Sequence, residues 1–210
     1  QMRNAIDAHA SIRHDTTGLS DQDLLKKIGS KYSHPEGLFF PDTYLFAKNS
    51  SDIEVYQQAH QAMLAKLDEA WKQRAQGLPY QEAYQALIMA SIIEKETGQA
   101  TERGMIASVF VNRLRSGMLL QTDPTVIYGM GDQFQGNIRK RDLTTDTPYN
   151  TYTRAGLPPT PIALPGLDAI KAALNPEPSN AYYFVARGNG TSQFSENLSE
   201  HNKAVNKDQR

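Results

Sequence analysis

Two carboxylates separated by one lysine close the most apolar stretch of this chain. Ala86-Leu87-Ile88-Met89-Ala90-Ser91-Ile92-Ile93 runs directly into Glu94-Lys95-Glu96 and stops at Thr97-Gly98. A helix over these residues is apolar nearly all round, which predicts that it is buried. Residues two apart lie about 200° from each other around an α-helix, so Glu94 and Glu96 cannot share a face. Glu96 continues the row Met89, Ile92, Ile93, whereas Glu94 continues Leu87, Ala90, Ser91. The bulkier apolar row therefore lies beneath Glu96. Desolvation disfavours the charged form of a carboxyl and raises its pKa, which suits a general acid near neutral pH. The alternative is an ordinary solvated helix end. The helix dipole argues against that, because each negative charge in a last turn costs about 0.3–1 kcal/mol.

Further polar candidates fall between residues 117 and 165, a stretch with little periodicity. A loop of that length inside a compact domain is usually functional or disordered. Gln121-Thr122-Asp123-Pro124-Thr125 reads as a loop-to-helix junction. Asp123 is either an N-cap ahead of a proline at the first helical position or a second acid. Tyr149-Asn150-Thr151-Tyr152 combines rings that stack on sugars with groups that bond hydroxyls; core-packed tyrosines in a turn are the other reading. Gln121, Asp123, Thr125, Tyr149, Asn150 and Tyr152 are the expected substrate contacts. The five histidines lack metal-ligand spacing. Gly129-Met130-Gly131 has no clear strand before it, as a phosphate loop requires. No metal and no cofactor are expected.

The 210 residues are 39% hydrophobic and 21% charged, with net charge -1. That balance lacks the basic footprint of a nucleic-acid binder. Arg139-Lys140-Arg141, broken by Asp142, reads as a solvated turn. The chain has no cysteine, which excludes disulfides and thiol chemistry. No apolar run approaches the ~20 residues needed to span a bilayer. The chain starts at Gln1 and reads as an excised fragment, with any signal or anchor upstream of it.

These candidates need elements to hold them. Residues 1–30 read as helical, with a helix start at Ser20 and the stripe Leu24, Leu25, Ile28. Residues 37–44 form an aromatic loop or short strand that packs on the core or lines a cleft. Helices are expected over about 52–76, 80–97 and 101–116, the last with Thr101 as its cap. Glycines at 77, 98 and 117 stop them. A short helix follows at about 165–174. Residues 181–187 and 191–195 flank Gly188-Asn189-Gly190 as a hairpin. A last helix covers about 198–205. The expected fold class is α+β, mostly helical with a small antiparallel hairpin. Residues 1–30 form an N-terminal connector and residues 31–210 the catalytic domain.

Several of these segments together carry a resemblance. Glu36 to Tyr44, Ala90 to Thr97, Ser108 to Leu114 and Leu120 to Gly129 occur in order. Tyr149 to Tyr152, Gly156-Leu157-Pro158-Pro159, Pro161-Ile162, Pro165-Gly166, Phe194 and His201-Asn202 follow. From about residue 30 onward the chain resembles the endolytic murein transglycosylase, or YceG-like, family. The resemblance implies lysozyme-like active-site logic with one acid, the second glutamate of Glu-Lys-Glu, which is Glu96. It implies cleavage inside nascent peptidoglycan glycan strands, leaving 1,6-anhydro-muramic ends. It also implies an inner-membrane anchor and a LysM-like region ahead of a periplasmic catalytic domain, with peptidoglycan synthases as possible partners. Two other readings stay open: a muramidase that uses water and a second carboxylate, and a glycan-binding module without catalysis.

Overall fold

The computed structural model describes residues 1–208. In chain order these form α1 (Met2–Asp7), α2 (Asp21–Lys27), α3 (Asp52–Lys72), α4 (Ala83–Glu96) and α5 (Arg103–Arg115). Then come α6 (Asp123–Met130), α7 (Lys140–Thr144), α8 (Leu167–Leu174), the strands β1 (Tyr183–Ala186) and β2 (Ser192–Ser195), and α9 (Leu198–Asp208). The architecture is α+β and mostly helical, as the sequence pattern predicts.

A helix that is apolar all round must be enclosed all round. In α4 every residue from Ala86 to Ile93 is buried. The short helix α8 lies along it most extensively, and α3, α5 and α6 complete the enclosure. The one polar residue in the buried run is satisfied: Ser91 Oγ donates to Ile88 O (2.6 Å) and accepts from Ile162 N (3.0 Å). That second bond draws residues 161–163 onto α4. Gly37 packs against the same segment. It has φ of 80°, and a Cβ there would sit 2.4 Å from the Pro161 ring, so only glycine fits.

Leu38, Phe39 and Phe40 are buried. Phe40 N donates to Ala59 O (3.0 Å), and His60 Nδ1 lies 3.0 Å from Leu38 O. The aromatic loop is thus core packing against α3.

Several boundaries differ from expectation, each for a local reason. α3 ends at Lys72, because the chain turns away so that Ala75 N can bond Leu174 O at the end of α8 (2.9 Å). α4 starts at Ala83, because Tyr80 is buried separately and its hydroxyl donates to Ala173 O (3.0 Å). Thr101 does not cap α5; it lies in a 3-10 turn, Ala100–Glu102, ahead of that helix. The irregular stretch contains α6 and α7. Asp123 is not the N-cap of α6 but its first residue, with Thr122 in the cap position.

Residues 1–30 form two short helices around a turning segment, and not a continuous helical run. Ser20 caps α2 as expected, accepting from Asp23 N (3.1 Å). Ile6, Leu24, Leu25 and Ile28 join the same hydrophobic core as α4. Buried Asp52, at the start of α3, ties the turning segment down. Its carboxylate accepts from Asp15 N (3.0 Å), Thr16 N (3.2 Å) and Thr16 Oγ1 (2.5 Å).

The hairpin pairs Tyr183 with Ser195 and Ala186 with Ser192. α9 packs on both strands.

Replacing Asp52 with alanine strands three donors and removes a charge favourable to the α3 N-terminus. The expected loss is about 2–4 kcal/mol in urea unfolding. Loss below about 0.5 kcal/mol would mean that water replaces the carboxylate at no cost.

Candidate active site

The two glutamates at the end of α4 have separate fates. Glu94 Oε2 accepts from Gly166 N (3.0 Å). Gly166 is the N-cap residue of α8, so this carboxylate sits where a helix dipole favours negative charge. Lys95 is exposed. Glu96 emerges on the other side, half-buried, in the wall of a cleft of about 630 Å³.

One hydrogen bond defines the Glu96 environment. Thr122 Oγ1 donates to Glu96 Oε1 (2.5 Å). A threonine in the N-cap position ordinarily caps its own helix, but here the hydroxyl makes no such bond. The backbone is held elsewhere. Thr122 N donates to Thr151 Oγ1 (3.1 Å), Thr125 Oγ1 donates to Thr122 O (2.8 Å), and the Thr125 and Thr151 hydroxyls lie 2.8 Å apart. Gln121 enters this turn with φ of 50°, an uncommon value for a residue with a side chain, and its N–H bonds Thr151 O (3.1 Å). Two chain segments distant in sequence are thereby locked together beneath the acid.

Burial pushes the Glu96 carboxyl above the ordinary carboxylate range. The Thr122 hydroxyl pulls the other way, and the negative charge of Asp123 adds to the rise. Asp123 accepts from Tyr152 Oη (2.6 Å). Burial, reinforced by that bond, raises the Tyr152 phenol well above its usual value, so it remains a neutral donor.

Of the residues expected to contact substrate, Gln121, Asp123 and Tyr152 line the cleft with Glu96. Thr125 and Asn150 are buried beneath it. Asn150 Nδ2 donates to the carbonyls of Asp142, Leu143 and Thr145, the shortest at 2.7 Å, and its Oδ1 accepts from Tyr152 N (2.9 Å). These two residues hold the wall. Tyr149 lies outside the cleft lining, packed on Tyr128 with its hydroxyl 2.7 Å from Thr160 Oγ1.

Sequence reasoning passed over Thr122 and further residues of the cleft lining, Arg113, Tyr183, Phe184, His201 and Asn202. Arg113 had only an ambiguous signal, because a cation in the last turn of a helix is ordinarily a solvated partner of the dipole. Thr122 had none, because its role depends on a neighbour 26 residues earlier.

Among the described residues, one group brings three potential metal ligands within 4.8 Å of one another: Asp7, His14 and Asp52. It belongs to the N-terminal segment and forms no part of the cleft lining. The Asp52 oxygens already accept three donors.

The fold is a helical α+β domain with a desolvated carboxyl in an open cleft, an arrangement that suits general-acid chemistry. The chain belongs to the YceG-like family, whose sequence profile matches residues 1–207 and so reaches through the N-terminal segment. It is 41% identical over 175 residues to an endolytic murein transglycosylase of Bacillus subtilis, covering 83% of this chain and 48% of that protein. It is 32% identical over 187 residues to one of Streptococcus pneumoniae, covering 86% of this chain and 33% of that protein. The chain thus spans half or less of these relatives. The crystal structure of a YceG-like protein from Listeria monocytogenes matches with a TM-score of 0.70 and 38% identity, over 86% of this chain and 61% of that one.

A carboxyl with a raised folded-state pKa opposes folding once it ionises. The penalty is absent below the unfolded-state value of about 4.3 and complete above the raised one. Glu96→Gln is therefore expected to match the wild type in stability near pH 4 and to exceed it at neutral pH. Denaturant unfolding at a series of pH values reads the difference, and a gap independent of pH would overturn the assignment. Thr122→Val removes the bond that favours the charged form. It is expected to move the Glu96 carboxyl further up, as followed by carbon NMR titration; a downward move would contradict the role given to that hydroxyl.

Proposed function

We propose that this chain is the catalytic part of an endolytic lytic transglycosylase and that Glu96 is its acid/base. The observation that carries the reading is the Glu96 carboxyl itself: desolvated at the end of a buried helix, its pKa raised by that burial, and open to a cleft. The names of the relatives support the substrate class, peptidoglycan glycan strands.

In this reading protonated Glu96 gives its proton to the oxygen linking N-acetylmuramic acid to N-acetylglucosamine. The bond from the muramic anomeric carbon to that oxygen breaks, and positive charge develops at the carbon. The Glu96 carboxylate then takes the proton from the muramic C6 hydroxyl. The C6 oxygen bonds to the anomeric carbon, closing a 1,6-anhydro ring, and Glu96 is protonated again. The internal hydroxyl replaces the water and second carboxylate of an ordinary glycosidase. One acid/base suffices, and the steps call for no metal or cofactor. Gln121, Asp123 and Tyr152 offer polar contacts on the acid's side of the cleft. Tyr183 and Phe184 add aromatic lining.

No helix among the described residues is long and apolar enough to cross a membrane. The same reading puts the cleft on the periplasmic side of the inner membrane, where nascent strands emerge. Tethering would come from sequence outside the chain, with synthases as candidate partners.

Glu96→Gln is expected to fold and to lose about 10²–10⁴-fold in cutting rate. Mass spectrometry of strands digested by the wild type is expected to find 1,6-anhydro ends. Hydrated reducing ends would overturn the lyase reading in favour of a muramidase, with Asp123 as the second carboxylate. A Glu96→Gln protein that cuts at the wild-type rate would remove Glu96 from the chemistry.

A further inference from the structure

The same cleft holds a charge with no counter-charge. Arg113 lies in the last turn of α5 and is 8% exposed. Its Nε donates to Tyr182 O (2.7 Å), and its Nη1 donates to Leu119 O (3.1 Å) and Leu120 O (3.0 Å). Three neutral carbonyls orient the guanidinium and leave its charge uncompensated. No carboxylate pairs with it among the described residues. A guanidinium withdrawn this far from water is ordinarily paired.

Two N–H bonds of the planar fork remain. Nη2 makes no hydrogen bond to the described chain, and it is not among the enclosed unpartnered atoms. Arg113 itself lines the cleft. The guanidinium carbon lies 5.1 Å from the Tyr183 ring centroid, and that ring stacks on His201 at 5.1 Å with 26° between planes. Burial and the Arg113 charge together lower the His201 pKa, so the imidazole adds no second cation. Glu96, Asp123 and Arg113 all line the cleft, and the Tyr152 phenol is influenced by each of them.

We propose that Arg113 receives a carboxylate of the bound strand, so that the cleft selects glycan carrying a free carboxylate close to the cut. This rests on reading the cleft as the glycan site. The anion would complete the missing ion pair in a desolvated setting, where charge-assisted hydrogen bonds are strongest. Repulsion from Asp123 would disfavour the same anion beside the acid. The carboxylate has two chemical sources: the lactyl group of a muramic sugar without a stem peptide, or the stem peptide itself.

Binding, and not cutting, is the measurement. Short strands bind the Glu96→Gln chain in four forms: stem-free with free lactyl acid, stem-free with the lactyl acid converted to its methyl amide, stem-bearing, and stem-bearing with the stem carboxyls amidated. Calorimetry is expected to show amidation weakening one of the two pairs by about tenfold or more. The pair that weakens names the source. Arg113→Gln is expected to abolish that difference, bringing acid and amide to the same Kd. If this variant does not fold, the comparison on the Glu96→Gln chain decides alone. Equal Kd within both pairs overturns the proposal, as does an acid preference that survives in a folded Arg113→Gln protein. Carboxylate-selective binding by a chain whose Glu96 form never cuts would sink the catalytic reading and leave this one standing.

Discussion

The enclosure of α4 is the constraint on which the other elements depend. Eight consecutive buried residues require neighbours on every side, and α3, α5, α6 and α8 supply them. Fully burying one Leu- or Ile-sized side chain stabilises by roughly 1.5–3 kcal/mol, so this helix is an anchored post. Its last turn can therefore carry a group that is uncomfortable where it sits. A carboxyl on a frayed surface turn would escape to water and ionise; Glu96 is held.

The same turn separates two tasks. Glu94 and Glu96 differ in direction by about 200°, which puts one against the start of a helix and the other in the cleft. Glu94 meets the start of α8 and accepts from Gly166 N. Glu96 meets apolar rows, the Thr122 hydroxyl and the repulsion of Asp123. Its protonation is the sum of opposed effects, with burial the largest. The hydroxyl network of Thr122, Thr125 and Thr151 fixes the backbone beneath this balance.

Much of this is visible in residue order. The long helices, the hairpin with its glycine turn and the burial of the 86–93 run follow from periodicity, and the boundaries err where single tertiary bonds intervene. Ala75 N to Leu174 O shortens α3, and Tyr80 Oη to Ala173 O delays α4. The two short helices of residues 1–30 are held by Asp52 and by core contacts that no local pattern encodes. Within the candidate site, polarity and aromaticity pointed to six residues. The fold brings Gln121, Asp123 and Tyr152 into the cleft and leaves Thr125, Tyr149 and Asn150 out of its lining. Composition cannot separate a side chain that lines a wall from one that holds it up.

By itself, the sequence determined the two points that depend on local geometry: that α4 is enclosed, and that Glu94 and Glu96 face opposite ways. Helical periodicity settles both before any tertiary contact forms. Only the tertiary structure decided what each glutamate meets. Gly166 lies 72 residues beyond Glu94, and Thr122 lies 26 beyond Glu96. Arg113 likewise owes its orientation to Tyr182, 69 residues further on. Electrostatic environment is a property of neighbours in space, and folding chooses those neighbours.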